Sequence, residues 1–131
     1  MTNKELVQTA FDNFTKGNIP AILDLLSDDV TWKMNGPADI FPYAGSRKGK
    51  AEVLDFFAQI GATSDFQVFR ATDYIAEGDK VVALGEAVAT NKQTGKTSNN
   101  QWAMYWIFDN GKVTHYQNFS DTYDIAQSFI K

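Results

Sequence analysis

The chain has 131 residues, 44% of them hydrophobic and 21% charged, the balance of a single globular domain large enough to bury a core without staples, so disordered and fibrous classes drop out. Twelve Lys+Arg against 16 Asp+Glu leave a net charge of -4, which opposes a phosphate backbone and excludes nucleic acid as a partner. No cysteine and one histidine exclude disulfides, thiolate chemistry and multi-histidine metal sites, so no metal or cofactor is expected.

No apolar run approaches the ~20 residues of a membrane span, and Met1-Thr-Asn-Lys-Glu5 lacks a hydrophobic leader, so the expected location is cytoplasmic. Thr2 and Glu5 form a capping box. Leu6, Val7, Ala10, Phe11 and Phe14 then recur at helical spacing, with Gly17 as the stop. Asn18 caps a second, shorter helix with Pro20 in its first turn and Ile19, Ile22, Leu23 and Leu26 on its apolar face. Ser27-Asp28-Asp29 reads as a turn, and Val30, Trp32 and Met34 alternate with polar residues as a strand. Gly36-Pro37 opens a loop carrying Phe41 and Tyr43, which packs over the core or acts as a lid. Gly45-Ser-Arg-Lys-Gly49 precedes a helix but lacks phosphate-loop spacing, so it reads as a helix start with a solvated basic pair.

The helix from Lys50 to Ile60 presents Val53, Leu54, Phe56, Phe57 and Ile60, and Gly61 is expected to stop it. Strand patterns follow over Phe66–Ala76 and Val81–Thr90, where Ala83, Gly85, Ala87 and Ala89 leave one face nearly bare and open to close approach. Lys92 to Thr97 is a polar connection. Two aromatic-rich runs then flank Asp109-Asn110-Gly111-Lys112, and Asn-Gly is the strongest short hairpin signal. Ile125, Ala126, Phe129 and Ile130 make a closing helical turn or two. Three helices followed by an antiparallel meander predict an α+β fold with the helices on one face of a curved sheet and a pocket on its concave side. Trp102, Met104, Trp106 and Phe108 share one strand face, while Ala103, Tyr105 and Ile107 share the other. Both faces are apolar, so the second is expected to be covered by a homodimer partner.

Taken in order, the opening helix, Leu25-Leu-Ser-Asp-Asp-Val-Thr-Trp32, Tyr43-Ala-Gly-Ser-Arg-Lys-Gly49, Val53-Leu-Asp-Phe-Phe57, Glu77-Gly-Asp-Lys-Val-Val82, Gly111-Lys-Val113 and Asp121-Thr122 resemble a SnoaL-like protein of the nuclear transport factor 2-like superfamily, which also contains ketosteroid isomerase. The resemblance covers nearly the whole chain, residues 1–131. It implies a cone-shaped α+β barrel, three N-terminal helices on a curved, mainly antiparallel sheet, with a pocket that serves isomerases, cyclases and non-enzymes alike. The isomerase branch carries its catalytic aspartate where Met34 stands, so the usual isomerase base is missing. Polyketide cyclases of the SnoaL type use a late acid/base aspartate, and Asp121 falls near that place.

Asp121 supports two readings: a general acid/base raised toward neutrality by an aromatic pocket, or the N-cap of the closing helix. His115 shares strand parity with Gln117 and Asp121, but six residues at ~3.3 Å each separate it from Asp121 by about 20 Å, so the two form no dyad. Tyr43 is a candidate lid residue able to polarise a ligand oxygen with Asp121 as its catalytic partner. Trp32, Met34, Phe41, Phe57, Trp102, His115 and Gln117 are the candidate ligand-binding residues. The expected function is binding of a small hydrophobic or carbonyl-bearing molecule, with cofactor-free isomerisation or aldol-type cyclisation if the chain is an enzyme; the alternative is a non-catalytic ligand-binding or dimerisation module.

Overall fold

A computed structural model describes residues 1–131. The first helix, α1 (Asn3–Thr15), begins on the capping box: the Thr2 hydroxyl accepts from the Glu5 amide at 3.2 Å and the Glu5 carboxylate accepts from the Thr2 amide at 2.9 Å. Two amides that a helix start leaves orphaned are thus satisfied. Its Val7, Ala10 and Phe11 stripe is buried. Asn18 caps α2 (Ile19–Leu25) by accepting from the Ala21 amide at 3.4 Å.

The chain passes from α2 straight into β1 (Leu26–Met34). Leu26 opens that strand, and Ser27-Asp28-Asp29 is extended instead of turning. The register against the neighbouring strand slips between Leu26 and Thr31, so this polar segment is an irregularity inside a strand. A short strand, β2 (Gly45–Lys48), pairs antiparallel with β1 where the sequence suggests only a helix start. Four residues, two of them charged, carry no alternation to announce it.

Helix α3 (Lys50–Thr63) runs through Gly61 to Thr63. Gly61 has open space around its Cα, and one helical glycine costs only about 1 kcal/mol against alanine. The chain then enters β3 (Ser64–Glu77), β4 (Lys80–Asn91), β5 (Thr97–Asp109) and β6 (Lys112–Ser120), and closes with α4 (Thr122–Phe129). The β5–β6 turn has φ of 50° at Asn110 and 77° at Gly111, the left-handed pair that an Asn-Gly hairpin demands.

The six-stranded sheet has the order β2-β1-β6-β5-β4-β3. All its pairings are antiparallel except β1 with β6, which is parallel. Helices α1, α3 and α4 pack across one face of it, an α+β architecture. No helix is long and apolar enough to cross a membrane.

The bare face of β4 is buried: Ala83 and Ala87 belong to the core, together with Trp102, Met104 and Trp106 from the inner face of β5. Gly85 pairs with Trp102, and a Cβ at Gly85 would overlap both the indole and the Arg70 carbonyl oxygen. The glycine is the slot that lets the Trp102 ring lie flat on the sheet.

Candidate functional site

Between this inner face and the helices lies a cavity of about 90 Å³, room for on the order of six water-sized groups at 10–15 Å³ each. The strand registers build its floor. One row across three strands sets Trp32 beside Tyr116 and Tyr116 beside Trp106; the next sets Met34 beside Asn118 and Met104; a third pairs Ser120 with Trp102. Farther along β5 the inner positions are Asn100 and Ser98. Phe11 and Phe14 from α1, Phe56, Phe57 and Ile60 from α3, and Phe129 from α4 supply the walls.

The rings fix one another. Trp32 stacks on Tyr116 at 3.7 Å, Trp106 meets Tyr116 edge-on at 4.8 Å, and Trp102 stacks on Phe69 at 5.3 Å. Phe11 bridges Trp102 and Trp106 at 5.4 and 6.0 Å.

Within this apolar shell the polar groups are selective. Asn91, Ser98, Asn100, Asn118 and Ser128 are the five buried polar residues of the protein, and all five line the cavity. Some are tied to their surroundings. The Ser128 hydroxyl donates to the Ile125 carbonyl at 2.6 Å, Ser120 donates to the Asn118 carbonyl oxygen at 2.5 Å, and the Asn118 amide donates to the Tyr116 hydroxyl at 3.1 Å. Others are not. The indole N–H groups of Trp32, Trp102 and Trp106 and the side-chain amide nitrogen of Asn91 are buried with no partner. A buried orphan donor costs about 1–3 kcal/mol, and the four residues that carry these line one chamber.

No Asp, Glu, His, Lys or Arg lines the cavity; its titratable groups are Tyr43 and Tyr116. Burial raises the Tyr43 hydroxyl to about 12, with the Ser64 hydroxyl pulling slightly the other way. Burial raises Tyr116 further still, against the hydrogen bond from Asn118. Both stay protonated at neutral pH and can donate a hydrogen bond. Nowhere in the chain do three His, Asp or Glu side chains gather as metal ligands would.

Of the residues singled out from sequence, Trp32, Met34, Tyr43, Phe57 and Trp102 line the cavity. Phe41 does not. It is fully buried behind the lining, packed on Tyr43 and Phe129 at 5.1 and 5.9 Å, and fills the space that Gly36 leaves open.

His115 and Gln117 face away from the cavity. The cause is a bulge: Ile107 pairs with His115 but Phe108 pairs with Val113, so Thr114 is an extra residue and the inward set shifts from Val113 to Tyr116, Asn118 and Ser120. His115 Nδ1 instead sits 2.7 Å from the Thr31 hydroxyl, and the Gln117 amide donates to Asn35 at 3.1 Å.

Asp121 is also outside. Its carboxylate accepts from the Asp124 amide at 3.2 Å as the N-cap of α4, and it lies in a shallow surface cleft beside Asn99 and Gln101. Of its two readings, the cap is the one the geometry realises, and the pairing of Asp121 with Tyr43 at a pocket mouth is withdrawn.

Asn91, Asn100, Tyr116 and Asn118 are residues the sequence reading does not single out. A signal existed for one of them: Asn100 shares the parity of Trp102 on β5. A polar residue in a strand normally marks the solvent face, which hides it. For Tyr116 and Asn118 the bulge erases the signal.

Solved structures with this fold are similar along the whole chain. An NTF2-like protein of unknown function from Burkholderia pseudomallei K96243 is 21% identical, covers 100% of both chains and superposes with a TM-score of 0.91. An NTF2-like protein from Burkholderia thailandensis E264 is 24% identical over 100% of this chain and 99% of its own, with a TM-score of 0.90. TerC, co-crystallised with polyporic acid, is 21% identical over 98% of each chain, with a TM-score of 0.85. Comparison with curated protein sequences finds no significant match. Residues 7–116 match the family model of the SnoaL-like domain, and with the helix-covered sheet and its cavity this places the chain in the SnoaL-like family.

Proposed function

We propose that this SnoaL-like chain binds a small, uncharged, mainly apolar molecule in the cavity beneath its helices. The observation that carries this reading is where the buried polarity lies. Asn91, Ser98, Asn100, Asn118 and Ser128 all line one aromatic chamber, although burying a polar side chain is unfavourable unless it finds a partner. A polar-studded apolar cavity is the usual form of a small-molecule site. The co-crystallisation of TerC with polyporic acid supports an organic occupant for a chain of this shape.

Binding without acid/base catalysis is the favoured reading. The cavity presents no carboxylate or imidazole to abstract a proton, and Asp121 caps a helix outside it. Isomerisation or aldol-type cyclisation would need a base that the lining does not supply.

All three tryptophans of the chain line the cavity, so an occupant must change tryptophan emission. Titration with neutral one-ring ketones and hydrocarbons, sized to the roughly six water-sized groups the cavity admits, is expected to give a saturable emission change and a rise in Tm. No saturable response to any of them would remove the reading.

Self-association is proposed for the opposite sheet face, where Leu84, Ala103, Tyr105 and Ile107 are half-buried and Phe119 is exposed. Light scattering across a concentration series reads it: a dimer that Phe119→Asp splits is expected, and a monomer at every concentration would sink the idea.

A further inference from the structure

We infer that Phe14 is the gate of this cavity: its ring plugs the mouth through which an occupant enters, and its displacement sets how fast entry and exit occur. This rests on the cavity being a ligand site and adds the route into it. Most of the lining is buried, so the chamber meets solvent only where a lining residue is itself part-exposed. Phe14, Phe57, Ile60, Ser64, Phe66 and Phe69 are such residues, and they gather where the last turn of α1 and the C-terminal half of α3 come over the start of β3.

Phe14 is the hub of this rim. Its ring meets Phe57 at 6.0 Å, Phe66 at 5.7 Å and Phe69 at 4.8 Å. Two of these partners are pinned from behind: Phe57 meets Trp32 at 5.7 Å, and Phe69 stacks on Trp102 at 5.3 Å. Phe66 is carried by a strand and paired with Ala89. The ring partners of Phe14 are all rim residues, and it stands one residue before the end of α1, after which Gly17 turns the chain at a φ of 73°. Helix ends open more readily than paired strands, and a side chain there changes rotamer without moving the sheet.

The other part-exposed lining residues, Ser120 and Phe129, lie beside α4. That side is fastened. The Thr94 hydroxyl donates to the Ser128 carbonyl at 2.6 Å, and the Asp124 carboxylate accepts from the Asn99 amide at 2.7 Å. Phe129 also packs on the buried rings of Phe41 and Tyr43 at 5.9 and 6.0 Å. Opening beneath α4 breaks hydrogen bonds as well as contacts, whereas opening at Phe14 separates rings that already touch solvent.

Acrylamide, a small neutral quencher, reads access directly, since all three tryptophans line the cavity. On the full chain, Phe14→Ala is expected to raise the quenching constant severalfold, Phe14→Leu by less, and Phe129→Ala least. Stopped-flow emission with cyclohexanone, a neutral one-ring ketone, is expected to show Phe14→Ala raising association and dissociation rates together, so that Kd changes less than either rate. Phe56→Leu, a buried wall residue behind the rim, loses contact alone and is expected to raise dissociation only, the usual effect of a binding-site substitution. If quenching and association stay at wild-type values in both Phe14 variants, or if Phe129→Ala raises them more, Phe14 is not the gate, while saturable cyclohexanone binding keeps the cavity a ligand site. If cyclohexanone binds neither wild type nor Phe14→Ala, the ligand reading falls, and acrylamide still decides whether Phe14 controls access. Phe14→Leu, which keeps an apolar side chain at the rim, carries the test where Phe14→Ala does not fold.

Discussion

The two faces of the sheet differ in the polar groups they leave open. On the outer face, where water is available, the polar side chains are nevertheless partnered: His115 with Thr31, Gln117 with Asn35, Arg70 with Glu86, Thr90 with Gln67. On the inner face, where water is scarce and a missing partner costs most, the indole N–H groups of Trp32, Trp102 and Trp106 and the side-chain amide nitrogen of Asn91 have none. A fold selected for stability alone would reverse that arrangement. The site is therefore marked less by its aromatics, which any core could contain, than by donors left open where leaving them open is expensive.

The largest test of the inner face is Trp106→Ala. Trp106 is 2% exposed and packs on Trp32, Phe11 and Tyr116, so truncation is expected to cost about 3–5 kcal/mol in denaturant unfolding. Leu84→Ala, on the half-buried outer face, is expected to cost clearly less. Equal losses would mean that the outer face is as tightly packed as the core.

Gly85→Ala adds one methyl group and tests the slot. The new Cβ overlaps the Trp102 ring and the Arg70 carbonyl oxygen, and backbone cannot step aside as a flexible side chain would. Overpacking is expected to cost about 1–3 kcal/mol and to shift Trp102 emission. A variant with unchanged Tm and spectrum would show that the indole does not lie against Gly85.

The buried tyrosines give the inner face a signature in alkali. Tyr43 rises from 10.0 to about 12 in the folded chain because burial disfavours the phenolate. Between those values the unfolded chain has lost the proton that the folded chain retains, so stability is full below pH 10 and falls as pH rises toward 12, by about 1.4 kcal/mol per pH unit for this group. Tyr116 acts in the same direction. Tyr43→Phe is expected to flatten the decline of Tm over this window, and an identical decline in the variant would refute a protonated, buried Tyr43.

How legible this was depended on whether local pattern and tertiary pairing agreed. The capping box at Thr2 and Glu5, the Asn110-Gly111 turn and the inward Trp102, Met104, Trp106 row follow from rules a few residues long, and they settled most of the architecture. Gly61 misled because packing carries α3 past a weak helix former. β2 was hidden because a short charged strand exists only through its pairing with β1. One extra residue at Thr114 turned His115 and Gln117 outward and Tyr116 and Asn118 inward; strand parity is legible locally, but the bulge that resets it is set by the partner strand.

The smallest expected effect bears most directly on chemistry. Asp121 follows Ser120, a cavity residue, yet belongs to the surface, where it accepts the Asp124 amide. Asp121→Ala removes that acceptor and is expected to cost about 1 kcal/mol, with Asp121→Asn costing little because asparagine caps nearly as well. Neither change touches the cavity lining, so probe affinity should stay within twofold of wild type in both. A proton-transfer role predicts a different pattern: Asn and Ala would be equally damaging to turnover, since neither carries a proton to exchange, while stability would hardly distinguish them. Measuring unfolding and binding on the same pair of variants thus separates a carboxylate that holds the end of β6 to α4 from one that works on the ligand.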